Sequence, residues 1–388
     1  MANNKINRKL RMGMVGGGQG AFIGEVHRIA SQLDNQIELV CGAFSSNAEK
    51  SKESGRALFL PEDRVYGSYQ EMIERERELP EGERMDFVSI VTPNHVHFGP
   101  AMLALENGFH VVLDKPMSFD LAEAKQLKQK VEETGLLFLL THTYAGYPMV
   151  RQARELVRDG ALGKIRKVYV EYPQGWLSQP QDDSNKQASW RTDPSKSGKA
   201  GCMGDIGTHA LHLAEFISGQ RTTQLCASLY TYVEGRQLDD DGDVLLQFEQ
   251  GASGVLTASQ VAAGEENALK IRVYGEKGGL EWHQQEPNSL IVKWLDKPTQ
   301  VYRSSNGGWI SAAASSLCRT PSGHPEGYLE AFANLYRLFG EALRAELSGA
   351  ERQPYDFPSV DDGVRGMAFL DNVVRSSESA EKWTPFSV

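Results

Sequence analysis

Cysteine is scarce in this chain of 388 residues, which has only Cys41, Cys202, Cys226 and Cys318. Their wide spacing fits neither a metal-binding pattern nor a disulfide framework, so we expect reduced, packed thiols in a cytoplasmic protein. Long hydrophobic runs are missing as well: residues 136–140 form one of the longest, and such a run is far too short to cross a bilayer. Residues 1–11 are polar and basic and lack the apolar core of a secretory signal.

An excess of positive charge is also missing. The chain has 41 Lys and Arg against 51 Asp and Glu, which gives a formal net charge of -10. Nucleic acids and anionic membrane surfaces attract basic patches, so we expect neither as a partner. Hydrophobic residues at 40% and aromatic residues at 9% are ordinary for a globular protein with a large core. The length predicts two domains.

The first third of the chain alternates strand-like and helix-like segments. Apolar runs predict strands at residues 11–15, 37–44, 87–91, 110–113 and 136–140, and the intervening patterns predict helices at 21–32, 69–78, 99–106 and 121–133. Repeated strand–helix units with buried strands are typical of a doubly wound parallel sheet. We therefore predict an α/β domain of this kind over residues 1–145.

The pattern changes after about residue 150. A helix is predicted at residues 153–158, strands at 164–172, 223–233, 243–250, 252–260, 269–274 and 290–294, and a late helix at 327–347. Consecutive strands joined by tight turns, such as residues 276–279, predict an antiparallel sheet. We expect a second, α+β domain over residues 146–388. Residues 178–199 are polar and predict a long loop, a feature that is often functional in compact domains.

A glycine-rich turn links the first predicted strand to the first predicted helix. Gly16, Gly18 and Ala21 match the pattern G-x-G-x-x-(G/A), with Gln19 inside the turn. Glycines let the backbone approach a pyrophosphate closely, and the start of the helix favours its negative charge. A glycine turn without a ligand is the alternative. The strand–turn–helix context favours a Rossmann domain with NAD or NADP as the cofactor.

The end of the second predicted strand bears on the choice between NAD and NADP. NAD sites usually carry an acidic residue there, on the ribose hydroxyls. This chain instead has Phe44, Ser45 and Ser46 and no acid. Ser45, Ser46 and Lys50 could receive a 2′-phosphate, so the sequence leaves both cofactors open.

Two further polar segments follow predicted strands. Ligands bind in the crevice beyond the carboxyl ends of parallel strands, and a lysine near a cationic nicotinamide should have its charged form disfavoured. Such a lysine could transfer a proton or hydrogen-bond the reacting oxygen; a surface lysine at a turn is the plain alternative. A histidine pair at positions 95 and 97, without a matched carboxylate or cysteine, does not predict a metal. We assign to the cofactor site Thr92, Pro93, Asn94 and His97 after the third strand, and Asp114 and Lys115 after the fourth.

Asp205 and His209 are four residues apart in a segment whose apolar residues recur at helical spacing, after a predicted break at residues 203–204. Residues at i and i+4 share a helix face, so the carboxylate and the imidazole can address one small ligand. His209 is suited to take a hydroxyl proton near neutral pH. His212 and Glu215 extend the polar set without the open three-ligand arrangement of a catalytic metal, so we expect no metal. A helix-capping aspartate with an exposed histidine is the plain alternative.

Other polar and aromatic residues are weaker candidates for substrate binding. Side chains of these types on loops beside a pocket often bind sugars, although each alone is more often structural. The candidates are His142, Tyr144, Trp190, Arg191 and His324.

Together these segments resemble the Gfo/Idh/MocA family, the group of glucose–fructose oxidoreductase and inositol dehydrogenase. The resemblance covers nearly the whole length and rests on residues 16–21, 92–94 with His97, 114–116, Gly163 with Ile165, and 204–209. It implies a Rossmann domain followed by a domain with a large open, mainly antiparallel sheet, through which a homo-oligomer (dimer or tetramer) would form. It also implies that Lys115 matches the lysine of the family's Glu-Lys-Pro motif, and that Asp205 and His209 match its acid–histidine pair. Asp114 in place of the usual glutamate is a departure, as is the missing acid after the second strand.

We therefore predict an NAD(P)-dependent oxidoreductase that acts on a hydroxyl-bearing carbon of a sugar, glycoside or cyclitol. In this hypothesis His209 accepts the hydroxyl proton, Asp205 orients and supports the histidine, and Lys115 holds the oxygen. One alternative is a glycosidase that oxidises its substrate transiently with tightly held NAD. A non-catalytic nucleotide-sensing protein is the other, although a sensor has no need of these three side chains.

Overall fold

The computed structural model describes residues 6–180, 186–351 and 353–388. Within them the chain divides into two compact units, each built from two stretches of sequence. The first unit comprises the described residues up to Thr143 together with Tyr328–Val364, and the second comprises Tyr144–Gly327 together with Arg365–Val388. A single division after residue 145 would therefore leave the returning segment Tyr328–Val364 out of the unit to which it belongs.

The first unit contains the predicted parallel sheet. Five strands lie in the order β2-β1-β3-β4-β5, all parallel. The chain winds outward in both directions from the pair β1 and β3, so the carboxyl ends of these two strands flank the point where a ligand crevice is expected. The elements are β1 (Leu10–Gly16), α1 (Phe22–Gln32), β2 (Ile37–Ala43), α2 (Ala48–Ala57), α3 (Tyr69–Glu78), β3 (Phe87–Val91), α4 (Phe98–Glu106), β4 (His110–Leu113), α5 (Leu121–Thr134) and β5 (Phe138–Leu140).

Helix α2 is the element of this sheet layer that the sequence does not predict. Its buried residues are Ser51, Ser54 and Gly55, so the helix has no large apolar side chains with helical spacing. Asn47 caps it, because its side chain accepts a hydrogen bond from the backbone N–H of Lys50. A small, polar packing face of this kind gives no hydrophobic signal.

The rest of the chain contains α6 (Pro148–Arg158), β6 (Ile165–Pro173), α7 (Lys186–Arg191), α8 (Pro194–Ser197), a π turn (Met203–Gly207), α9 (Thr208–Ser218), β7 (Thr222–Tyr230), β8 (Asp241–Phe248), β9 (Ser253–Ser259), β10 (Lys270–Gly275), β11 (Gly278–His283), β12 (Ser289–Trp294), β13 (Gln300–Arg303), α10 (Ala312–Ser315), α11 (Tyr328–Leu347), α12 (Val360–Ser377) and β14 (Thr384–Pro385). Nine strands form a sheet in the order β13-β12-β11-β10-β6-β9-β8-β7-β14. Only the pair β6 and β9 is parallel, so the prediction of a mainly antiparallel sheet is confirmed. None of the helices in the described ranges combines the length and the apolarity that crossing a bilayer requires.

Strand β11 begins where the sequence predicts a turn. A Cβ at Gly279 would lie 2.5 Å from Cδ1 of Tyr274, and a Cβ at Gly278 would lie 2.9 Å from Cε3 of Trp294. The two aromatic rings come from neighbouring strands and cover the two glycines, an arrangement that stabilises glycine within a sheet. The tight turn predicted at residues 276–279 is therefore confirmed at Glu276 and Lys277, which join antiparallel β10 and β11, but the glycine pair already belongs to β11, a strand that the sequence does not predict.

The polar stretch 178–199 is only partly a loop. Residues 181–185 lie outside the described residues, and α7 and α8 follow them. Pro194 starts α8, and the side chain of Asp193 caps it by accepting from the N–H of Ser195. Helices of four to six residues are too short to show an apolar period, which is why the sequence predicts a loop here.

Helix α11 completes the core of the first unit. Its buried residues recur three or four positions apart, as expected for one face of a helix. Full burial of each large apolar side chain contributes roughly 1.5–3 kcal/mol, so this late helix is an integral part of the sheet layer. The face consists of Phe332, Leu335, Tyr336, Phe339 and Leu343, which pack in one cluster with Met12 and Phe87 of the sheet.

Candidate active site

The glycine turn lies between β1 and α1, as predicted. Gly16 and Gly17 have φ angles of 82° and 70°, in a region of backbone conformation that residues other than glycine rarely adopt. A Cβ at Gly18 would lie 2.8 Å from the carbonyl oxygen of Phe44, and a Cβ at Gly17 would lie 3.0 Å from Cα of Gly24. The turn therefore requires glycine, and it places bare backbone at the edge of the sheet.

This edge fits a bound dinucleotide. Ala21, at the N-cap of α1, offers no side-chain cap, so the first N–H groups of the helix suit an external anion such as a pyrophosphate. Thr92, which follows β3, has a buried Oγ1 with no hydrogen-bond partner among the described residues. A Cβ at Gly16 would lie 2.9 Å from Cγ2 of Thr92, so the glycine turn and this hydroxyl are adjacent. Gln19, whose N–H lies 3.2 Å from Oγ of Ser54, is exposed at the tip of the turn.

Some residues after β2 are used by the fold itself, and others are exposed and available to a cofactor. Phe44 is 3% exposed, so its side chain belongs to the core and only its backbone borders the glycine turn. Ser45 Oγ accepts a hydrogen bond from the N–H of Asn47 at 3.1 Å, which shapes the entry to α2. Ser46 and Lys50 are exposed and stay candidates for contact with the cofactor.

His97, which the sequence predicts at the cofactor site, lies between two backbone carbonyl groups. The side chain is fully buried, with Nδ1 2.8 Å from the carbonyl oxygen of Pro116 and Nε2 2.7 Å from that of Thr92. Burial lowers the pKa of His97. The ring thus ties the turn after β3 to the loop after β4, and acts on the site by holding these turns together. Pro93 and the single 3-10 turn Asn94–Val96 form the connection between Thr92 and His97.

Asp114 and Lys115 follow β4 at the same sheet edge as the glycine turn. Oδ1 of Asp114 accepts from Oγ1 of Thr141 at 2.7 Å and lies 3.8 Å from Nε2 of His27. Burial opposes ionisation of Asp114, but the facing imidazole of His27, the nearby Lys115 and the hydrogen bond from Thr141 outweigh it and hold the pKa of Asp114 below its usual range. A carboxylate is therefore kept beside the half-buried Lys115.

A buried polar cluster supports Asp114, and the sequence reasoning missed it. His27 of α1 is fully buried, with Nδ1 2.7 Å from Oη of Tyr336, whose Oη in turn lies 2.9 Å from Oγ of Ser89. Burial raises the pKa of Tyr336 above its usual range. The sequence shows only a single histidine among the buried residues of α1. The hydrogen-bonding partners of this histidine come from β3 and from α11, which is distant in sequence.

Asp205 and His209 lie on one continuous helix of the second unit. The π turn Met203–Gly207 leads directly into α9, and the N–H of Thr208 donates to the carbonyl oxygen of Met203. The predicted break at residues 203–204 is therefore wrong, because the chain is already helical there. Widened turns of this kind occur often at functional sites.

The carboxylate of Asp205 is held by two side chains. Its Oδ2 accepts from Nε of Arg191 at 3.1 Å and from Nε2 of Gln260 at 2.8 Å. The Arg191 guanidinium carbon lies 4.2 Å from the ring centre of Trp190 and 6.0 Å from that of Trp176. Of the predicted substrate-binding residues, Arg191 thus contacts Asp205 and Trp190 packs on Arg191, while Gln260 and Trp176, which were not predicted, contact Asp205 and Arg191 respectively.

Two tyrosines surround the imidazole of His209, which is 6% exposed. The ring of Tyr144 meets it edge-on, with centroids 4.9 Å apart, and the ring of Tyr172 lies at 6.4 Å. The two phenol groups are hydrogen-bonded to each other, and Oη of Tyr172 donates to Oδ1 of Asn267 at 2.8 Å. Gln174 Nε2 donates to the same oxygen at 2.7 Å. Burial raises the pKa of Tyr144, so this surrounding is polar but uncharged.

One edge of the nine-stranded sheet supplies these groups. Pro173 at the end of β6 pairs with Ser259 at the end of β9, and antiparallel β8 and β10 begin at the same edge. Tyr172 and Gln174 come from the end of β6, Gln260 follows β9, and Asn267 precedes β10. The sequence reasoning missed all four because only the strand order brings these ends together.

Two further predicted substrate-binding residues are His142 and His324. His142 belongs to the first unit, is 2% exposed, and donates its backbone N–H to the carbonyl oxygen of Leu140 at 2.8 Å. His324 is exposed on a loop of the second unit, with Nδ1 3.2 Å from the carbonyl oxygen of Pro321.

His212 and Glu215, which extend the polar face of α9, contact an aromatic ring and two arginines. His212 stacks on Phe216 with ring centroids 5.6 Å apart, and burial and two arginine charges lower the pKa of His212 to about 3. Glu215 forms ion pairs with Arg365 and Arg221. Across the described ranges, no group of three or more His, Cys, Asp or Glu side chains is placed to hold a metal ion.

Two family models match the chain in succession. Residues 10–142 match an oxidoreductase family with an NAD-binding Rossmann fold, and residues 150–281 match the GFO/IDH/MocA C-terminal domain. The chain belongs to the GFO/IDH/MocA family. Its N-terminal part is accordingly the NAD-binding Rossmann domain of an oxidoreductase family.

This GFO/IDH/MocA member is similar over its length to several bacterial proteins. An uncharacterized oxidoreductase of Bacillus subtilis, YfiI, is 32% identical over 387 residues, which cover 98% of both chains. The crystal structure of an oxidoreductase from Sinorhizobium meliloti is 46% identical, with a TM-score of 0.88 over 97% of this chain and 99% of that one. An inositol dehydrogenase homologue from Azotobacter vinelandii, crystallised with NADH and myo-inositol, is 34% identical, with a TM-score of 0.91 over 98% of each chain.

Proposed function

We propose that this protein is an NAD⁺-dependent dehydrogenase that oxidises one hydroxyl-bearing carbon of a sugar, glycoside or cyclitol. The observation that carries the proposal is the placement of Asp205 and the tyrosine-flanked His209 on one helix of an NAD-binding oxidoreductase. The Azotobacter homologue with bound myo-inositol supports a polyol as the class of substrate.

Each proposed role follows from the chemistry of its side chain. Bound NAD⁺ supplies the electron sink of the oxidation. His209 accepts the proton of the substrate hydroxyl at a ring nitrogen, and Asp205 orients the imidazole and stabilises its charged form. Lys115 donates a hydrogen bond to the reacting oxygen and stabilises the negative charge that develops on it.

The surroundings of His209 support a polyol. A ring with many hydroxyl groups needs neutral partners that both donate and accept hydrogen bonds, together with apolar surfaces for its C–H groups. The neutral hydrogen-bonding groups are Tyr172, Asn267 and Gln174. The apolar surfaces are the indole rings of Trp176 and Trp190.

We also propose NAD⁺ rather than NADP⁺ as the cofactor. Ser45 and Asn47, which follow β2, use their side chains to start α2, so they do not form a ready site for a 2′-phosphate. Calorimetry should show NAD⁺ binding at least about tenfold more tightly than NADP⁺, a difference of about 1.4 kcal/mol. Tighter binding of NADP⁺ would contradict this assignment and direct attention to the exposed Ser46 and Lys50.

The proposal is tested by nicotinamide reduction with a panel of inositols, free sugars and glycosides. We expect turnover with at least one of them, and a fall in kcat of about 10²–10⁴-fold in Lys115→Ala and in His209→Ala. Lys125→Ala and His95→Ala are matched controls, because both side chains are exposed, and should keep the wild-type rate. Full turnover in His209→Ala would refute its proposed role.

A cofactor assay separates this dehydrogenase from the redox-assisted glycosidase. The dehydrogenase exchanges its cofactor and forms one reduced nicotinamide per substrate oxidised. Purified protein that retains NAD⁺, cleaves glycosides and accumulates no reduced cofactor would favour the glycosidase. Binding of NAD⁺ without any turnover would favour a sensor.

We further propose a homo-oligomer, a dimer or a tetramer, formed through the second unit. Leu245 of β8 is 43% exposed and Val301 of the edge strand β13 is 51% exposed, so strands in both halves of the nine-stranded sheet expose apolar side chains. Light scattering coupled to size exclusion should give two or four times the chain mass of 42.9 kDa. A monomer at micromolar concentration would contradict the proposal.

A further inference from the structure

Gln260 is buried next to Asp205. The residue is 2% exposed, and its Nε2 donates to Oδ2 of Asp205 at 2.8 Å. An amide nitrogen can only donate, whereas a carboxylate oxygen can only accept. A glutamine at this position therefore fixes one oxygen of Asp205 in a way that an isosteric glutamate cannot.

The backbone of Gln260 is itself clamped on both sides. Its N–H donates to the carbonyl oxygen of Asp240 at 2.8 Å, and its carbonyl oxygen accepts from the N–H of Leu177 at 3.1 Å. Gln260 directly follows β9, whose Ser259 is in register with Asp241 of β8. The side chain is thus anchored to the sheet rather than to a mobile loop.

Asp239, the neighbour of Asp240, holds the start of the helix that carries Asp205. Its carboxylate accepts from the N–H groups of Gly201 at 2.7 Å and Met203 at 2.8 Å, and its carbonyl oxygen accepts from the N–H of Cys202 at 2.8 Å. These bonds take up N–H groups that a helix start leaves without intrahelical partners. The dipeptide 239–240 therefore connects to the backbone at the start of this helix and to the backbone of Gln260, whose side chain holds Asp205.

We propose that Gln260 is a positioning residue, which fixes the carboxylate of Asp205 through a single donated hydrogen bond while residues 239–240 hold both in register. The proposal rests on the proposed dehydrogenase function. Gln260 acts only through Asp205, so its replacement lowers kcat and leaves NAD⁺ binding unchanged.

The test is a double-mutant cycle measured by kcat, with NAD⁺ affinity and thermal midpoint recorded for every variant. Gln260→Glu keeps the shape but places a carboxylate against Asp205, and should lower kcat at least about tenfold, since lost orientation is costly in catalysis. In the Asp205→Asn background, where the new amide can donate to the new carboxylate, the same change should alter the residual kcat less than about threefold. Gln250→Glu, in the exposed turn after β8, is the matched control and should be neutral.

Asp239→Asn supplies a second variant. Its side-chain NH₂ group must face the N–H of either Gly201 or Met203, from which it cannot accept a hydrogen bond. The start of the helix then loses one of its hydrogen bonds, so kcat should fall while NAD⁺ affinity stays the same. Equal effects of Gln260→Glu in both backgrounds, or a lower thermal midpoint with an unchanged kcat, would overturn the inference and leave a merely structural role. Absence of wild-type turnover with every polyol would instead refute the proposed function, so the two failures are distinguishable.

Discussion

The carbonyl oxygen of Phe44 would lie 2.8 Å from a Cβ placed on Gly18. The end of β2 and the glycine turn therefore approach too closely for a side chain on Gly18, at the edge that fits the dinucleotide. A side chain on Gly18 would push these two segments apart at the place where the pyrophosphate is expected.

Gly18→Ala should therefore weaken NAD⁺ binding by about tenfold or more, which corresponds to about 1.4 kcal/mol. Calorimetry measures the affinity, and a thermal scan checks that the variant is folded. Gly82→Ala is the control, because a Cβ there meets no atom within 4 Å. Unchanged affinity in Gly18→Ala would show that the cofactor does not use this turn.

Tyr144→Phe should raise the KM for the polyol about tenfold, with a smaller effect on kcat. The substitution keeps the ring edge against His209 but removes the hydroxyl that bonds Tyr172, and one neutral hydrogen bond lost in a buried network is worth about 0.5–1.5 kcal/mol. Steady-state kinetics give both constants. Tyr169→Phe, on strand β6 with Tyr172 but partly exposed, should change neither; an effect as large as that of Tyr144→Phe would argue against a local cause.

Arg365→Met should destabilise the protein by about 1.5–3 kcal/mol, because it removes the charge-assisted hydrogen bonds of Arg365 to the buried carboxylate of Glu215, which keeps Arg221 as its remaining charged partner. The Arg365 guanidinium bonds both oxygens of Glu215, whose side chain is 4% exposed. Denaturant unfolding measures the loss. Arg166→Met breaks a pair with Glu276 in which the arginine is 66% exposed, and should cost less than about 1 kcal/mol; similar losses in the two variants would contradict this account.

Stability should fall in acid partly because of His212. Its ordinary pKa is 6.5, and the folded protein lowers it to about 3. Between these two pH values the unfolded chain binds a proton that the folded chain does not, so the free energy of unfolding decreases as the pH falls through that window. His212→Gln should flatten this decrease, measured by denaturation between pH 7 and pH 4. His324→Gln, at an exposed site, should leave the slope unchanged, and an unaltered slope in His212→Gln would refute the assignment.

Periodicity predicted the parallel sheet of the first unit almost to the residue, because its buried strands are continuous apolar runs. It missed α2, whose packing face is serine and glycine, and it missed β11, which starts at a glycine pair covered by cross-strand rings. The apolar periodicity of a short segment reveals neither a small polar packing face nor rings contributed by neighbouring strands.

The candidate site was predictable only where one segment carries the chemistry. Asp205 and His209 are close in sequence, and so are the residues of the glycine turn. Gln260, Tyr172 and Asn267 meet only through the pairing of β6 with β9 and β10. The two carbonyl neighbours of His97 come from separate turns, so the sequence does not show them, and contact of His97 with the cofactor stays a prediction.

The most direct test of the central claim uses a cyclitol or sugar deuterated on its ring carbons, with NAD⁺ and the purified protein. Mass spectrometry then follows the isotope. We predict one deuterium in the reduced nicotinamide for each carbonyl formed on the substrate, with little transfer in His209→Ala. A wild-type protein that binds NAD⁺ and leaves the isotope on every polyol in the panel would contradict the account.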